Sequence, residues 1–523
     1  MNSTAISHII LRLLISFTFI YTLECDGQLV FEQKCLGGTL EDAGSGIQGT
    51  RDGGFILCGS KESLDGDISC TLGRHDGWLI KLDRFLNIEW QQCYGEVLTD
   101  DFLYCIDTTS DNGYILGGGI WSGGSTSNCI SHGDQDYWIT KTDSVGNIEW
   151  ENCYGGSRRD VIYDIHQTDD YGYILCGKTN SSDGDITWNY GNDDFWILKI
   201  DQIGQIEWSK TYGGSGYETC YSIAETSDGN FVACGVAEYD SGIITGNHGS
   251  GDFWVIKIDS LGGLIWQKSL GGSSNDLASD LVTTSDGGVI IIGEVLSSDG
   301  DVSNNHGGWD CWVVKLDTNG SLVWQKTYGG SSYDSGRSIA SHSDGGFMLL
   351  SAGSSNDGDA TCIYGSQFWF TKIDSAANFE FQQCIGGTDF DIPLSIVSTI
   401  DSGFASIGYT YSNDGDVTGM HFPCPQPPCT DMWFVKLLNQ TLSLSETSQQ
   451  ALISIYPNPV KNYLYVSGMN EKESIVIRNM LGSIVLQMKI TETTTEVDIR
   501  SLSTGLYLIE IDKKFRKKIV VLN

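Results

Sequence analysis

The chain has 523 residues, a formal net charge of −37, 65 glycines, 16 cysteines and seven prolines. Its 15 tryptophans and 40% hydrophobic residues exclude a disordered acidic chain, which could not bury enough apolar surface to fold. A surface this acidic repels phosphate backbones and anionic lipid headgroups, which argues against nucleic-acid and peripheral membrane binding and leaves cations and basic partners.

Residues 1–26 read as a signal peptide: Arg12 precedes the apolar run Leu13–Leu23, too short to span a bilayer comfortably. An N-terminal anchor helix is the alternative, but Arg12 interrupts the longer apolar window it needs. Cys25 raises a lipoprotein alternative, which Leu23-Glu24-Cys25 fits poorly because a bulky acid stands where a small residue is wanted. No later stretch approaches transmembrane length, so the mature chain is expected to have no transmembrane segment. Export makes the cysteines readable as disulfides.

A Trp-x-x-Lys phrase begins at Trp78, Trp138, Trp196, Trp254, Trp312, Trp369 and Trp433, at intervals of 57 to 64 residues. That period is too long for leucine-rich or helical-pair repeats and suits four-stranded blades. In the copy from Asp160 to Gly214, strands are expected at Asp160–Thr168, Tyr173–Gly177, Phe195–Ile200 and Gln205–Tyr212. Turns such as Asp52-Gly53-Gly54 and Asp286-Gly287-Gly288 supply the positive φ that tight hairpins need. Leu29–Gly38 matches a fourth strand, and the last copy, at Trp433, lacks one. An N-terminal strand completing the last blade would close the ring and remove its exposed edges. The fold expected over residues 28–439 is therefore all-β, a closed seven-bladed β-propeller, with an open β-solenoid as the alternative.

These units resemble the Asp-Gly-Gly-Phe-Ile and Asp-x-Trp-x-x-Lys-x-Asp propeller repeats of exported Bacteroidetes proteins. Asp259-Ser-Leu-Gly262-Gly-Leu-Ile-Trp266 also resembles a phrase of quinoprotein propellers, but those typically have eight blades and several use a vicinal cysteine pair, absent here.

Residues 440–450 form a polar linker, and residues 451–523 contain no cysteine or tryptophan. Thr441–Asn523 carries ten basic and eight acidic residues, net +2, which leaves −39 for everything before it. Six short strands are expected there, at Leu452–Tyr456, Tyr463–Val466, Ser474–Arg478, Ile484–Lys489, Leu506–Ile511 and Lys518–Val521, forming a small β-sandwich. The phrases Ile455-Tyr456-Pro457-Asn458-Pro459, Ile475–Gly482, Ser503-Thr504-Gly505-Leu506-Tyr507 and the closing Lys517-Lys518-Ile-Val-Val resemble the type A sorting domain of the type IX secretion system. That resemblance implies passage through the periplasm, engagement of the type IX machinery, and display on the outer-membrane surface or release.

Function is expected on the propeller face that carries the long acidic loops. Asp42, Asp100, Asp160, Glu218, Asp276, Asp334 and Asp391 each follow a Gly-Gly-like turn, with three residues between. They read as acceptors for the amides of that turn or as an anionic ring around the channel. An Asp-x-Asp-x8-Asp-x-Trp spacing at Asp65, Asp67 and Asp76, at Asp183, Asp185 and Asp194, and at Asp299, Asp301 and Asp310 offers three carboxylates per loop. Converging, they would suit Ca²⁺; otherwise they build and cap turns. His75, His132, His248 and His306 sit in equivalent loops of separate blades, too far apart for one zinc ion.

His166, behind Arg158-Arg159-Asp160 on an innermost strand, is the residue expected to break the ring's symmetry at the channel. Arg158, Asp160 and His166 therefore stand as ligand-face candidates, with Trp121 and Trp188 as loop aromatics for stacking. The repeated tryptophans read as core. Cys424 and Cys429 are a disulfide candidate in the longest loop, whereas Cys35, Cys93, Cys153 and Cys384, and Cys58, Cys176 and Cys234, could be free thiols or cross-strand bonds. No catalytic motif is present: there is no Gly-x-Ser-x-Gly, no His-Glu-x-x-His and no complete Asp box. The expected function is a secreted or surface-displayed binding protein for an extracellular glycan or protein, with a glycan lyase or hydrolase on the same scaffold as the alternative.

Overall fold

The computed structural model describes residues 31–438 except 71, 74, 97–99, 122–128 and 422–428. Further on it describes residues 454–456, 461, 463–467, 474–479, 484–489, 494–503, 505–511 and 515–521. The expected signal peptide, residues 1–26, and the expected linker, residues 440–450, lie outside the described residues. The chain divides into two units after Asn439.

Every Trp-x-x-Lys phrase forms the third strand of a four-stranded antiparallel sheet, and seven such sheets succeed one another. Blades 1 to 6 run Asp42–Tyr94, Phe102–Tyr154, Asp160–Tyr212, Glu218–Leu270, Asp276–Tyr328 and Asp334–Ile385. Blade 7 takes three strands from Asp391–Leu437, and its fourth is the N-terminal strand Phe31–Leu36, paired antiparallel from Phe31↔Leu437 to Leu36↔Met432. The expected closure is therefore present. Trp433 Nε1 donates to Gln33 at 2.8 Å, the bond that Trp312 makes within its own blade to Gln325. A side chain from one end of the propeller chain thus satisfies the indole at the other.

The repeated phrase has a physical reason at each position. The seven third-strand tryptophans are at most 1% exposed. The aromatic residue before one tryptophan packs on the tryptophan of the next blade: Phe195 on Trp254, Phe253 on Trp312 and Phe368 on Trp433, each at 4.6 Å between centroids. The core therefore lies between blades. The motif lysine runs back to the hairpin turn of its own blade: Lys199 Nζ lies 2.9 Å from Asp170 and 3.1 Å from Glu207, and Lys81 repeats this with Asp52 and Glu89. In blades 1, 2, 3 and 6 the motif lysine, the turn aspartate and a fourth-strand glutamate are one three-cornered contact, and Lys257, Lys315 and Lys436 pair with the turn aspartate.

Each innermost strand contains an irregularity that alternation did not predict. Register with the second strand shifts once, between Gly44 and Gly46, Leu103 and Cys105, Ile162 and Asp164, and at the four equivalent places. Such a bulge leaves one residue unpaired and re-aims its side chain.

In the second unit, Ser454–Tyr456, Tyr463–Ser467 and Thr494–Asp498 form one sheet, and Ile484–Lys489, Ser474–Asn479, Gly505–Ile511 and Phe515–Val521 the other. Leu464, Val466 and Val497 from the first share one core with Ile475, Ile477, Tyr507 and Ile509 from the second. The sandwich is as expected, with a seventh strand, Thr494–Asp498, that its polar sequence did not announce. Tyr456 ends a strand, Lys517 and Lys518 lie in the last one, and Gly505 opens the strand in which Tyr507 is buried. Pro457, Asn458 and Pro459 lie outside the described residues.

Candidate ligand site at the central channel

The seven-fold acids belong to the blade junctions. Asp42, Asp160, Glu218, Asp276, Asp334 and Asp391 are fully buried, and each accepts the amide of the second turn glycine: Gly156 N to Asp160 at 2.8 Å, Gly272 N to Asp276 at 2.8 Å. In blade 2 the role falls to Asp101, which accepts Glu96 N at 2.8 Å, and not to Asp100, which is exposed. Asp160 also takes hydrogen bonds from Thr179 and Ser181, and burial pushes it up to about 6. It does not reach the ligand face.

The loop aspartates bind the same junctions from the other side. Asp65, Asp183 and Asp299 accept the amides of Thr39, Ser157 and Ser273 at 2.7 to 2.8 Å, while Asp185 and Asp301 accept those of Gly155 and Gly271 at 3.0 and 3.4 Å. The Asp67 amide donates to Gly37 O at 2.8 Å. The third aspartates turn into the blades, where Asp76 meets Lys61 at 2.5 Å, Asp194 accepts Tyr190 N at 2.5 Å and Asp310 meets His306 at 2.7 Å. Each triplet is thus divided between two tasks, and among the described residues no group of three or more His, Cys, Asp or Glu is placed to hold a metal ion.

The histidines likewise pair locally: His132 with Asp136, His248 with Asp252 and His421 with Asp431, at 2.8 to 3.0 Å. Disulfides join the loop before the third strand to the fourth strand at Cys70–Cys93, Cys129–Cys153 and Cys362–Cys384, whereas Cys35, Cys58, Cys176 and Cys234 are buried free thiols. Cys429 is disulfide-bonded, and Cys424 lies outside the described residues.

The sevenfold pattern breaks at the bulges. Their residues, Ser45, Tyr104, Tyr163, Tyr221, Ser279, Arg337 and Leu394, line one cavity of about 320 Å³ inside the ring of innermost strands. Three consecutive blades supply tyrosines; Tyr163 and Tyr221 pack 5.0 Å apart at 60°. Blade 6 supplies Arg337 from across the channel. One residue further along, Asp164 accepts Ile223 N at 3.0 Å, and Asp280 accepts Ser338 Oγ at 2.7 Å and Ile339 N at 3.0 Å, so these acids tie neighbouring strands together. Burial pushes Asp280 up to about 6.

His166 lines the same cavity, 3.2 Å from Asp164 and 3.5 Å from Asp107. Burial opposes its cation, but the two carboxylates outweigh burial and raise its pKa well above the usual value. Along one strand, Asp160 and His166 are about 20 Å apart at ~3.3 Å per residue, and Arg158 is exposed, so the three do not form one constellation. Trp121 is 37% exposed with the Arg159 guanidinium 5.5 Å from its ring, and Trp188 is 63% exposed beside Tyr190.

Sequence reasoning missed the tyrosines and Arg337, yet a signal was there. Three residues after each junction acid, the repeat carries Ser, Tyr, Tyr, Tyr, Ser, Arg and Leu, a constant place with inconstant residues; the one-residue slip at Asp100 hid it.

The family described as the secretion system C-terminal sorting domain matches residues 454–522. No curated protein matches the chain. Among solved structures, a polysaccharide lyase PL25 ulvan lyase is 9% identical over 72% of this chain and 93% of its own, with a TM-score of 0.43. The Cps50 (Swd1) propeller of Myceliophteria thermophila is 10% identical over 72% and 96%, TM-score 0.42. PorZ of Porphyromonas gingivalis is 10% identical over 95% and 86%, TM-score 0.28. At these values none of them bears on what this chain binds. Among the described residues no helix is long and apolar enough to cross a membrane. The chain is a seven-bladed β-propeller carrying a C-terminal sorting domain of the type IX secretion system, exported through the periplasm to the cell surface or beyond.

Proposed function

We propose that the propeller is an extracellular binding module that takes a glycan or protein ligand at the channel and the aromatic residues around its loop face. The observation that carries this reading is the bulge ring, where a scaffold uniform in its tryptophans, lysines and junction acids presents three tyrosines and an arginine. Residues that maintain the fold repeat; residues that meet a ligand without sevenfold symmetry need not. Exposed Trp188, Tyr190, Tyr217, Tyr239 and Phe390 add stacking surface from loops.

The titratable groups that a catalytic reading would draw on are His166, flanked by two acids, and Asp280, which burial pushes up to about 6. The two carboxylates beside His166 favour its cation, the form that cannot accept a proton, which disfavours His166 as a general base. The test is a glycan and secretome array on the full mature chain, followed by product analysis of any glycan bound. Retention without cleavage is expected; cleavage that His166→Ala abolishes would replace the binding reading with the lyase or hydrolase one.

A further inference from the structure

We infer that the bulge ring is an acidic-saccharide subsite, in which Arg337 holds a carboxylate or sulfate while Tyr104, Tyr163 and Tyr221 stack on the sugar; this rests on the binding reading above. Arg337 is half-buried in a chain with 67 acids, yet no carboxylate of the described residues lies within ion-pair distance of it. Among the described residues its one hydrogen bond runs from Nη2 to Tyr333 Oη at 3.1 Å, and its Nε is buried with no acceptor. The motif lysines elsewhere in the propeller are paired with the turn aspartate of their own blade. Arg337 lines the cavity without a carboxylate partner among the described residues, and although Nε itself is sealed off, the Nη side of the planar fork is suited to an oxyanion.

The neighbourhood fixes where that anion sits. Glu294, the nearby acid, accepts hydrogen bonds from Tyr333 at 2.9 Å and from Ser335, and the Tyr333 hydroxyl, which also accepts from Arg337 Nη2, stands between the two charges. Arg159, anchored on Gln135 at 3.0 Å, adds positive potential at Tyr104 and Tyr163 on the opposite wall. Asp164 and Asp280 line the same cavity next to Tyr163 and Ser279 and repel an anion from their side, so the charged group sits at Arg337 and the sugar face lies along the tyrosines. Ser45 and Ser279 supply hydroxyls at the same level. The cavity, about 320 Å³, is at the lower end for ligand sites, which suits a terminal or looped-in sugar rather than a globular partner. The overall charge predicts a basic ligand, whereas Arg337 offers the opposite sign a local site.

Calorimetric titration of the full mature chain tests this with three tetrasaccharides: oligogalacturonate, a sulfated galactan fragment and the neutral galactan fragment. At least one acidic probe is expected to bind tenfold or more tightly than the neutral one, and which of the two does so tells carboxylate from sulfate. Arg337→Gln should erase that preference, Arg337→Lys should restore part of it, and Tyr163→Ala should weaken acidic and neutral probes alike, with melting temperatures reporting that each variant folds. Equal affinity for neutral and acidic probes, or a preference that survives Arg337→Gln, overturns the subsite and leaves the binding reading intact. Silence from all three probes also overturns it, and the array then decides the broader reading alone.

Discussion

Lys61 and Lys199 are both buried lysines with carboxylate partners, yet their replacement should differ in cost. Lys61 and Asp76 have fully buried side chains 2.5 Å apart, so Lys61→Met leaves a buried carboxylate without its cation, supported among the described residues by the Leu72 and Gly73 amides. A loss of about 3–5 kcal/mol in urea unfolding is expected. Lys199→Met frees Asp170 and Glu207, which are half-exposed and can rehydrate, and should lose only about 1 kcal/mol. Equal losses would contradict this ranking. The loop aspartates give a second prediction at this scale: because Asp65, Asp183 and Asp299 already hold backbone amides, EDTA should move the melting temperature by less than about 1 °C. A larger fall would assign these carboxylates to an ion. Sequence spacing offered both tasks for these side chains, because a turn-capping aspartate and a calcium ligand use the same residue at the same loop position.

At the scale of the hairpin, Tyr171 is the informative residue. It occupies the turn position where blades 1 and 5 have Gly53 and Gly287, with φ of 69° against 82° and 81°, and its side chain is 59% exposed. A β-substituted residue in the left-handed region is strained, so Tyr171→Gly should stabilise by about 0.5–1 kcal/mol and raise the melting temperature by roughly 2 °C. A lower melting temperature would mean that the exposed ring contributes more than the turn costs. Strands, turns and closure were legible because tryptophan, lysine and Asp-Gly recur at a fixed period. The bulges were not, since an unpaired residue is defined only against the partner strand. Thr494–Asp498 escaped for a related reason: Thr-Thr-Glu-Val-Asp has one aliphatic residue, Val497, too little for an alternation to register. Arg337 sits on such a bulge, so the feature that positions the candidate site is the one that sequence periodicity conceals.

For the whole molecule, the acids divide into two sets with opposite pH signatures. Burial raises Asp160, Asp280, Asp391 and Asp431 to about 6, against roughly 3.9 when unfolded. Their contribution to stability is complete below about pH 4 and is lost as pH rises through 6. The turn aspartates run the other way. Hydrogen bonds from Lys315 and Thr284 lower Asp286 to about 2; at Asp52, Asp111 and Asp344 burial opposes and hydrogen bonds overcome it, again to about 2. That contribution is present above about pH 4 and is lost as pH falls through 2. The melting temperature should therefore peak near pH 4–5 and fall toward both pH 2 and pH 8, as circular dichroism at low protein concentration can follow; a peak at or above pH 7 would contradict the assignment.

The junction acids, the inter-blade tryptophans and the N-terminal strand serve a closed ring, and the ring in turn places seven bulge residues around one channel. That the ligand enters there is the central claim. Hydrogen–deuterium exchange on the full mature chain, with and without the tightest ligand from the array, tests it directly. Protection is predicted in the innermost-strand segments 102–107, 161–166, 219–223 and 335–339. Protection confined to the hairpin turns of the opposite face, around Asp52, Asp170 and Asp286, would contradict it.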